Sequence, residues 1–169
     1  LLDHPRMQAL RWRNQLGINY MVFPGAVHTR FEHTLGVLGM TQRNCRLFGF
    51  DADTAHLLCG FALIHDIGHG PFSHQIEPVI GGCHHEQGKR YLREMDSVLR
   101  QCDLEPDKLI AMFERNSSLG AFVSDRNMGM DKLDYLMRDA LHIGFEGMPD
   151  TEKLLLYSDF DEGVWGIEA

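Results

Sequence analysis

Residues 54–74 read TAHLLCGFALIHDIGHGPFSH, and their reading decides the fold. Up to Ile67 the stretch is apolar on nearly every side of a helix: Ala55, Leu57, Leu58, Phe61, Ala62, Leu63, Ile64 and Ile67. A helix that is apolar all round lies in the middle of a bundle. Asp51 or Asp53 can cap its start, Gly68 stops it, and Pro71 prevents its return. At its end stand His65 and Asp66. An imidazole and a carboxylate in that place cost on the order of several kcal/mol if unpaired. A divalent cation compensates, because it takes both ligand types and neutralises the carboxylate. Adjacent helical residues diverge by about 100°, so both reach one ion lying beside the helix end. The plainer alternative is a hydrogen-bonded His–Asp pair that caps the helix.

Working outward, the neighbouring segments also read as helices. Residues 30–48 carry Phe31, Leu35, Leu38 and Cys45 on one face. Residues 5–16 are helical with Pro5 in the first turn, and GINYMVFPGAVHT, 17–29, is a loop. A short helix follows Pro71. Further helices are expected at 85–101, 106–115 and 130–142, and a short hairpin within 153–168. The fold class is therefore an all-α bundle. Residues 1–145 form its domain and 146–169 an acidic extension of the same domain. His33 on the preceding helix and Asp131 at the start of a later one are the candidates to complete the ligand set. Two His and two carboxylates leave positions on an octahedral ion for water or phosphate oxygens. Taken alone, His33 also reads as a satisfied core histidine and Asp131 as a helix N-cap.

Composition bounds the function. The chain has 169 residues, 44% apolar and 24% charged, enough for one soluble domain. It has no apolar run long enough to span a bilayer. No basic-then-apolar leader opens it, and four cysteines without a CxxC pair fit a reducing, cytoplasmic setting. Cys45 and Cys59 read as buried thiols. Seven acids against Lys153 in residues 146–169 account for most of the net charge of −8. The body is nearly neutral, and no broad basic face for nucleic acid stands out. Ten histidines are present, eight of them between His28 and His85. Such clustering marks a site, since His is the commonest metal ligand and the usual acid or base near neutrality.

The set His33, His65-Asp66, Asp131 resembles the H…HD…D signature of the HD-domain phosphohydrolases. The likeness extends to LDHPRMQALRWRNQLG, VFPGAVHTRFEHTLGV, IHDIGHGPFSH, HHEQG and MDKLDYLMRD. These five motifs occur in that order in the deoxynucleoside triphosphate triphosphohydrolases, over roughly residues 2–145. The resemblance implies attack at the α-phosphorus of a dNTP, giving deoxynucleoside and triphosphate. It implies one divalent ion, with Mn, Mg, Fe, Co, Ni and Zn all compatible, and a homo-oligomer. Arg30 would bind phosphate, and His69 and His74 would face the α-phosphate, with His74 protonating the leaving oxygen. Glu77 and His85 would form a carboxylate–histidine pair. His84 is the alternative, and His85 is chosen because it directly precedes Glu86-Gln87-Gly88. Lys132 would hold the β- and γ-phosphates. Tyr135, Asp139, Gln15 and Leu16 would bound the sugar. Asp3, Gln8 and Arg11 match an activating-nucleotide site in a SAM-domain member of the family, where Ala9 replaces an Arg.

Each residue has a plainer reading: His69 and His74 as exposed turn residues, Glu77 as a surface acid, Lys132 and Asp139 as a solvated face, Tyr135 as packing, and Arg30 as a partner of Glu32. At the level of function the rivals are an HD enzyme acting on a monophosphate, cyclic nucleotide or alarmone, a metal-stabilised nucleotide sensor, and a purely structural metal.

Overall fold

The structure, a computed structural model, describes residues 1–114 and 118–167. Among them are nine α-helices: α1 Pro5–Gln8, α2 Arg30–Leu47, α3 Ala52–Ile64, α4 Glu77–Ile80, α5 His84–Glu94, α6 Asp96–Gln101, α7 Pro106–Met112, α8 Met130–Ile143 and α9 Thr151–Leu156. A two-stranded antiparallel hairpin, β1 Ser158–Asp161 and β2 Val164–Ile167, follows, with Phe160 opposite Trp165. The all-α reading holds, and the hairpin falls in the expected stretch. Arg115 and Glu168, which ended the expected 106–115 helix and 153–168 hairpin, lie outside the described residues.

α3 is the central element, with Leu58, Gly60, Phe61, Ala62 and Ile64 buried. Its cap is Asp51, whose Oδ1 accepts the N–H groups of Asp53 and Thr54 at 3.0 and 2.9 Å. α2 begins with a capping box: the Glu32 N–H donates to Thr29 Oγ1, and the Thr29 N–H donates to Glu32 Oε2 at 2.7 Å. α2 packs against both α3 and α8. Its buried stripe runs through Phe31, Thr34, Val37, Thr41 and Cys45, with Arg30 and His33 in the same row. Leu35, expected on that face, is 38% exposed, because the two packing partners cover the other sides of the helix. Cys45 is buried as expected, whereas Cys59 is half-buried.

Three boundaries differ from the sequence reading. The helix at 5–16 is α only to Gln8, continues as a 3₁₀ turn over Ala9–Trp12, and turns extended at Arg13. The Arg13 guanidinium donates to the carbonyls of Ile67 and His69, which draws the chain across the end of α3. The helix at 85–101 is split at Met95 into α5 and α6, and Met95 itself is fully buried. Gly68 does not stop α3, which ends four residues earlier with His65 as its C-cap. Gly68 instead permits a close approach: a Cβ there would lie 1.9 Å from the His84 carbonyl oxygen and 2.5 Å from the Gly88 nitrogen. This contact holds the start of α5 against the His65-Asp66 turn.

The tail packs on the bundle. Trp165 donates its indole N–H to the Ala121 carbonyl at 3.0 Å and stacks on Phe122 with centroids 5.3 Å apart. Phe48 and Phe50 of the α2–α3 connection close the same aromatic cluster on Phe122. Among the described residues no helix is long and apolar enough to cross a membrane.

Candidate functional site

The end of α3, the first turns of α2 and the start of α8 meet, and they bring His33, His65, Asp66 and Asp131 together. His33 Nε2 lies 3.1 Å from Asp131 Oδ1 and 3.7 Å from Asp66 Oδ2. His65 Nε2 lies 3.7 Å from both Asp66 Oδ1 and Asp131 Oδ1. Neighbouring donors on an ion held at about 2.1 Å stand about 3 Å apart, so these spacings suit one cation.

Two further observations test the fit. The His65 imidazole donates from Nδ1 to the Ala62 carbonyl at 2.8 Å, which leaves the lone pair on Nε2. That Nε2 is buried and has no hydrogen-bond partner among the described residues, an expense that a cation removes. His33 Nδ1 contacts Asp134 Oδ2 at 2.8 Å, and Arg138 forks onto both Asp134 oxygens at 2.8 Å each. A ligating His whose second nitrogen is held by a carboxylate is the usual outer-shell support of a metal site. Gly36 on α2 makes room for it, since a Cβ there would lie 2.0 Å from Asp134 Oδ1. The residues present fit a divalent ion.

The electrostatics of the protein groups agree. Burial works to raise the Asp66 carboxyl, but Arg30, His65 and His69 beside it hold it well below the usual carboxylate range. Burial disfavours a proton on His33, yet hydrogen bonds to Asp131 and Asp134 and the charge of Asp66 raise it to about 9. Asp131 is held low by His33 and His65 against its own burial. Each carboxylate is ionised at neutral pH and available as a ligand.

Arg30 spans the site. Its guanidinium pairs with Asp66 and donates to Ser73 Oγ from Nε at 3.0 Å and Nη2 at 2.8 Å. Phe72 and Ser73 both adopt left-handed backbone, with φ of 65° and 51°. Non-glycine residues in this region carry strain of about 1–3 kcal/mol, a pattern found at functional sites.

The second cluster lies beside the first. Glu77 Oε1 is 2.8 Å from His84 Nδ1, 3.3 Å from His74 Nδ1 and 3.8 Å from His69 Nδ1. Glu77 therefore pairs with His84, which corrects the expected pairing with His85. α5 starts at His84, whose ring stacks on His69 with centroids 3.8 Å apart, while the adjacent His85 turns toward Phe113. Burial and the imidazoles of His69 and His85 push His84 down to about 4, and burial lowers His69 as well.

A cavity of about 1080 Å³ opens over both clusters. Gln15, Leu16, Arg30, His69, His74, His85, Tyr135 and Asp139 line it, as do His65, Asp66 and Asp131. Burial raises the Tyr135 hydroxyl, helped by Asp131 and Asp139. Asp139 Oδ1 is 2.7 Å from Nε2 of the buried His28. Lys132 is not among the lining residues, because its ammonium donates to the Arg126 carbonyl, whereas Arg126 itself faces the cavity. Gln8 bonds the Leu2 carbonyl at 2.9 Å and accepts from Arg11 at 2.8 Å, and Arg11 lies over the Phe31 ring. Asp3 is exposed in the N-terminal turn.

Sequence reasoning missed Asp134, Arg138, Ser73, His28 and Arg126. A signal existed for Asp134: it follows Asp131 by three residues and shares its helix face.

Comparison with known proteins bears on this geometry. The family model described as HD domain matches residues 30–161. The human deoxynucleoside triphosphate triphosphohydrolase SAMHD1 is 30% identical over 208 residues, covering 94% of this chain and 33% of the human protein. An uncharacterized protein of Methanocaldococcus jannaschii is 33% identical over 156 residues, covering 92% of this chain and 33% of its own length. The crystal structure of a phosphohydrolase from Bacteroides thetaiotaomicron superposes with a TM-score of 0.86 at 30% identity, covering 99% of this chain and 44% of that one. The chain thus spans about a third of the length of the curated relatives it matches.

Proposed function

The chain belongs to the HD-domain phosphohydrolase family, and on that premise we propose that it hydrolyses deoxynucleoside triphosphates to deoxynucleoside and triphosphate. One observation carries the reading: the buried, unpartnered His65 Nε2 sits among ionised carboxylates at a cavity large enough for a nucleotide. His33, His65, Asp66 and Asp131 would hold a divalent ion, which when bound polarises a phosphoryl oxygen and makes water nucleophilic near neutral pH.

The chain's own groups do the rest. Arg30, fixed by Ser73, presents its guanidinium to phosphate. His74, whose ring is 67% exposed, is free to approach the leaving 5′-oxygen and donate a proton. Glu77, bonded to His84, anchors the Nδ1 side of that histidine group. Gln15, Tyr135 and Asp139 line the cavity as donors and acceptors for a sugar. This reading carries with it a cytoplasmic homo-oligomer.

One observation favours a second reading. Among the described residues, the arginines lining the cavity are Arg30 and Arg126, alongside Asp66, Glu114, Asp125, Asp131 and Asp139, while Lys132 turns aside. That balance suits a substrate with fewer phosphates, such as a nucleoside monophosphate. Incubation with each dNTP and with monophosphates, in Mn²⁺ or Mg²⁺ with and without chelator, separates the two. Chelator-sensitive release of deoxynucleoside and intact triphosphate supports the first reading. Orthophosphate from monophosphates supports the second, and no turnover despite tight metal binding would leave a sensor.

A further inference from the structure

We propose that His69, His74, Glu77 and His84 form a second divalent-cation site, separate from the His33, His65, Asp66 and Asp131 set. Each of the four offers one donor atom, and all four donors lie within 4.8 Å of one another. The three Nδ1 atoms surround a single carboxylate oxygen at 2.8, 3.3 and 3.8 Å. Donors held tetrahedrally at about 2.0–2.1 Å stand roughly 3.3 Å apart, and the observed spacings bracket that value.

Hydrogen bonding alone leaves the cluster unexplained. Glu77 accepts from His84. His69 Nδ1, on a ring only 2% exposed, points toward the same oxygen from 3.8 Å, too far for a hydrogen bond, and has no partner among the described residues. A cation between them would take up that lone pair. The other nitrogen of His69 lies 3.4 Å from Asp66 Oδ1, the relation by which a carboxylate orients a ligating imidazole. The rings of His69 and His84 stack with 15° between their planes. An ion at their common Nδ1 edge is reached by both once one ring tilts.

Three imidazoles and one carboxylate make a borderline donor set, which suits Zn²⁺-type transition ions better than Mg²⁺. Ligation through Nδ1 leaves the Nε2–H of His74 free, so the site is compatible with proton donation to substrate. The spacing in sequence is His, four residues, His, two residues, Glu, six residues, His, and the Gly68 contact fixes the last member against the others.

The two sets share no donor, so their ions can be counted separately. Zn²⁺ is the probe: equilibrium dialysis of the untagged chain followed by elemental analysis. The expected result is two Zn²⁺ per chain in the wild type and one each in Glu77→Gln, His74→Ala and His65→Ala. The exposed His74 makes its variant a safe test of folding, checked by circular dichroism. Two ions in both Glu77→Gln and His74→Ala would overturn the proposal, as would one ion in the wild type that His65→Ala removes. One ion that survives His65→Ala and disappears in Glu77→Gln supports this site while refuting the metal of the proposed function.

Discussion

Replacing Asp134 by Asn keeps the shape of the side chain and removes its charge. Asp134 is 5% exposed, accepts from His33 Nδ1 at 2.8 Å, and is itself gripped by both nitrogens of the Arg138 fork. Loss of such an outer-shell partner lowers metal affinity about 10- to 100-fold, or roughly 1.4–2.7 kcal/mol. The pH dependence sharpens the expectation. In the metal-free site His33 holds a proton up to about 9, its burial outweighed by Asp131, Asp134 and Asp66. A metal must displace that proton, so affinity rises about tenfold per pH unit until it levels off near the pKa. Without the Asp134 charge the proton is held less tightly, and the levelling moves to lower pH. The variant's deficit is therefore partly masked near neutrality and complete at about pH 9. Chelator-competition titration across that range measures both effects, with the binding left in His65→Ala subtracted to isolate this ion. Wild-type affinity at high pH together with an unshifted plateau would show that Asp134 does not support His33.

Three further expectations follow from the same geometry. His65→Ala removes the orphaned Nε2 and should abolish both ion binding at the first set and hydrolysis; a fully active variant sinks the ligand assignment. In chelator, the protein should lose stability as pH rises from 6.5 to about 9, because the raised His33 pKa favours the folded state only while the proton is held. The full effect is about 3 kcal/mol, read as a falling urea midpoint that metal loading flattens. Gly68→Ala drives a Cβ into the His84 and Gly88 backbone. It should cost about 1–3 kcal/mol, seen as a lower Tm by roughly 2–4 °C per kcal/mol; an unchanged melt would mean that α5 is not fixed by this contact.

Much of the fold was legible because α3 is apolar all round and its caps are local. Asp51, Thr29 and Glu32 act within three or four residues of themselves, so sequence reading reaches them. The first four ligand candidates were readable because His65 and Asp66 end that helix. What escaped depends on partners distant in sequence. The choice between His84 and His85 turns on where α5 begins against Gly68, which no local pattern records. Asp134 looks like an ordinary polar position on α8 until α2 is laid beside it. Lys132 looked like a phosphate ligand, but the nearby Arg126 carbonyl captures it. Leu35 seemed buried because its period matched one face, while α2 is packed on two.

Trp165 of the hairpin bonds the carbonyl of Ala121 and stacks on Phe122, and Ala121 is part of the cavity wall. The cavity wall at Ala121 is thus buttressed from behind by the last strand. All eight candidate donors lie between His33 and Asp131, well upstream of that buttress. A chain shortened just before Trp165 would keep every candidate donor and lose the brace behind Ala121. Cation loading and the grip on a bound nucleotide would then come apart by length alone, with every donor still in place.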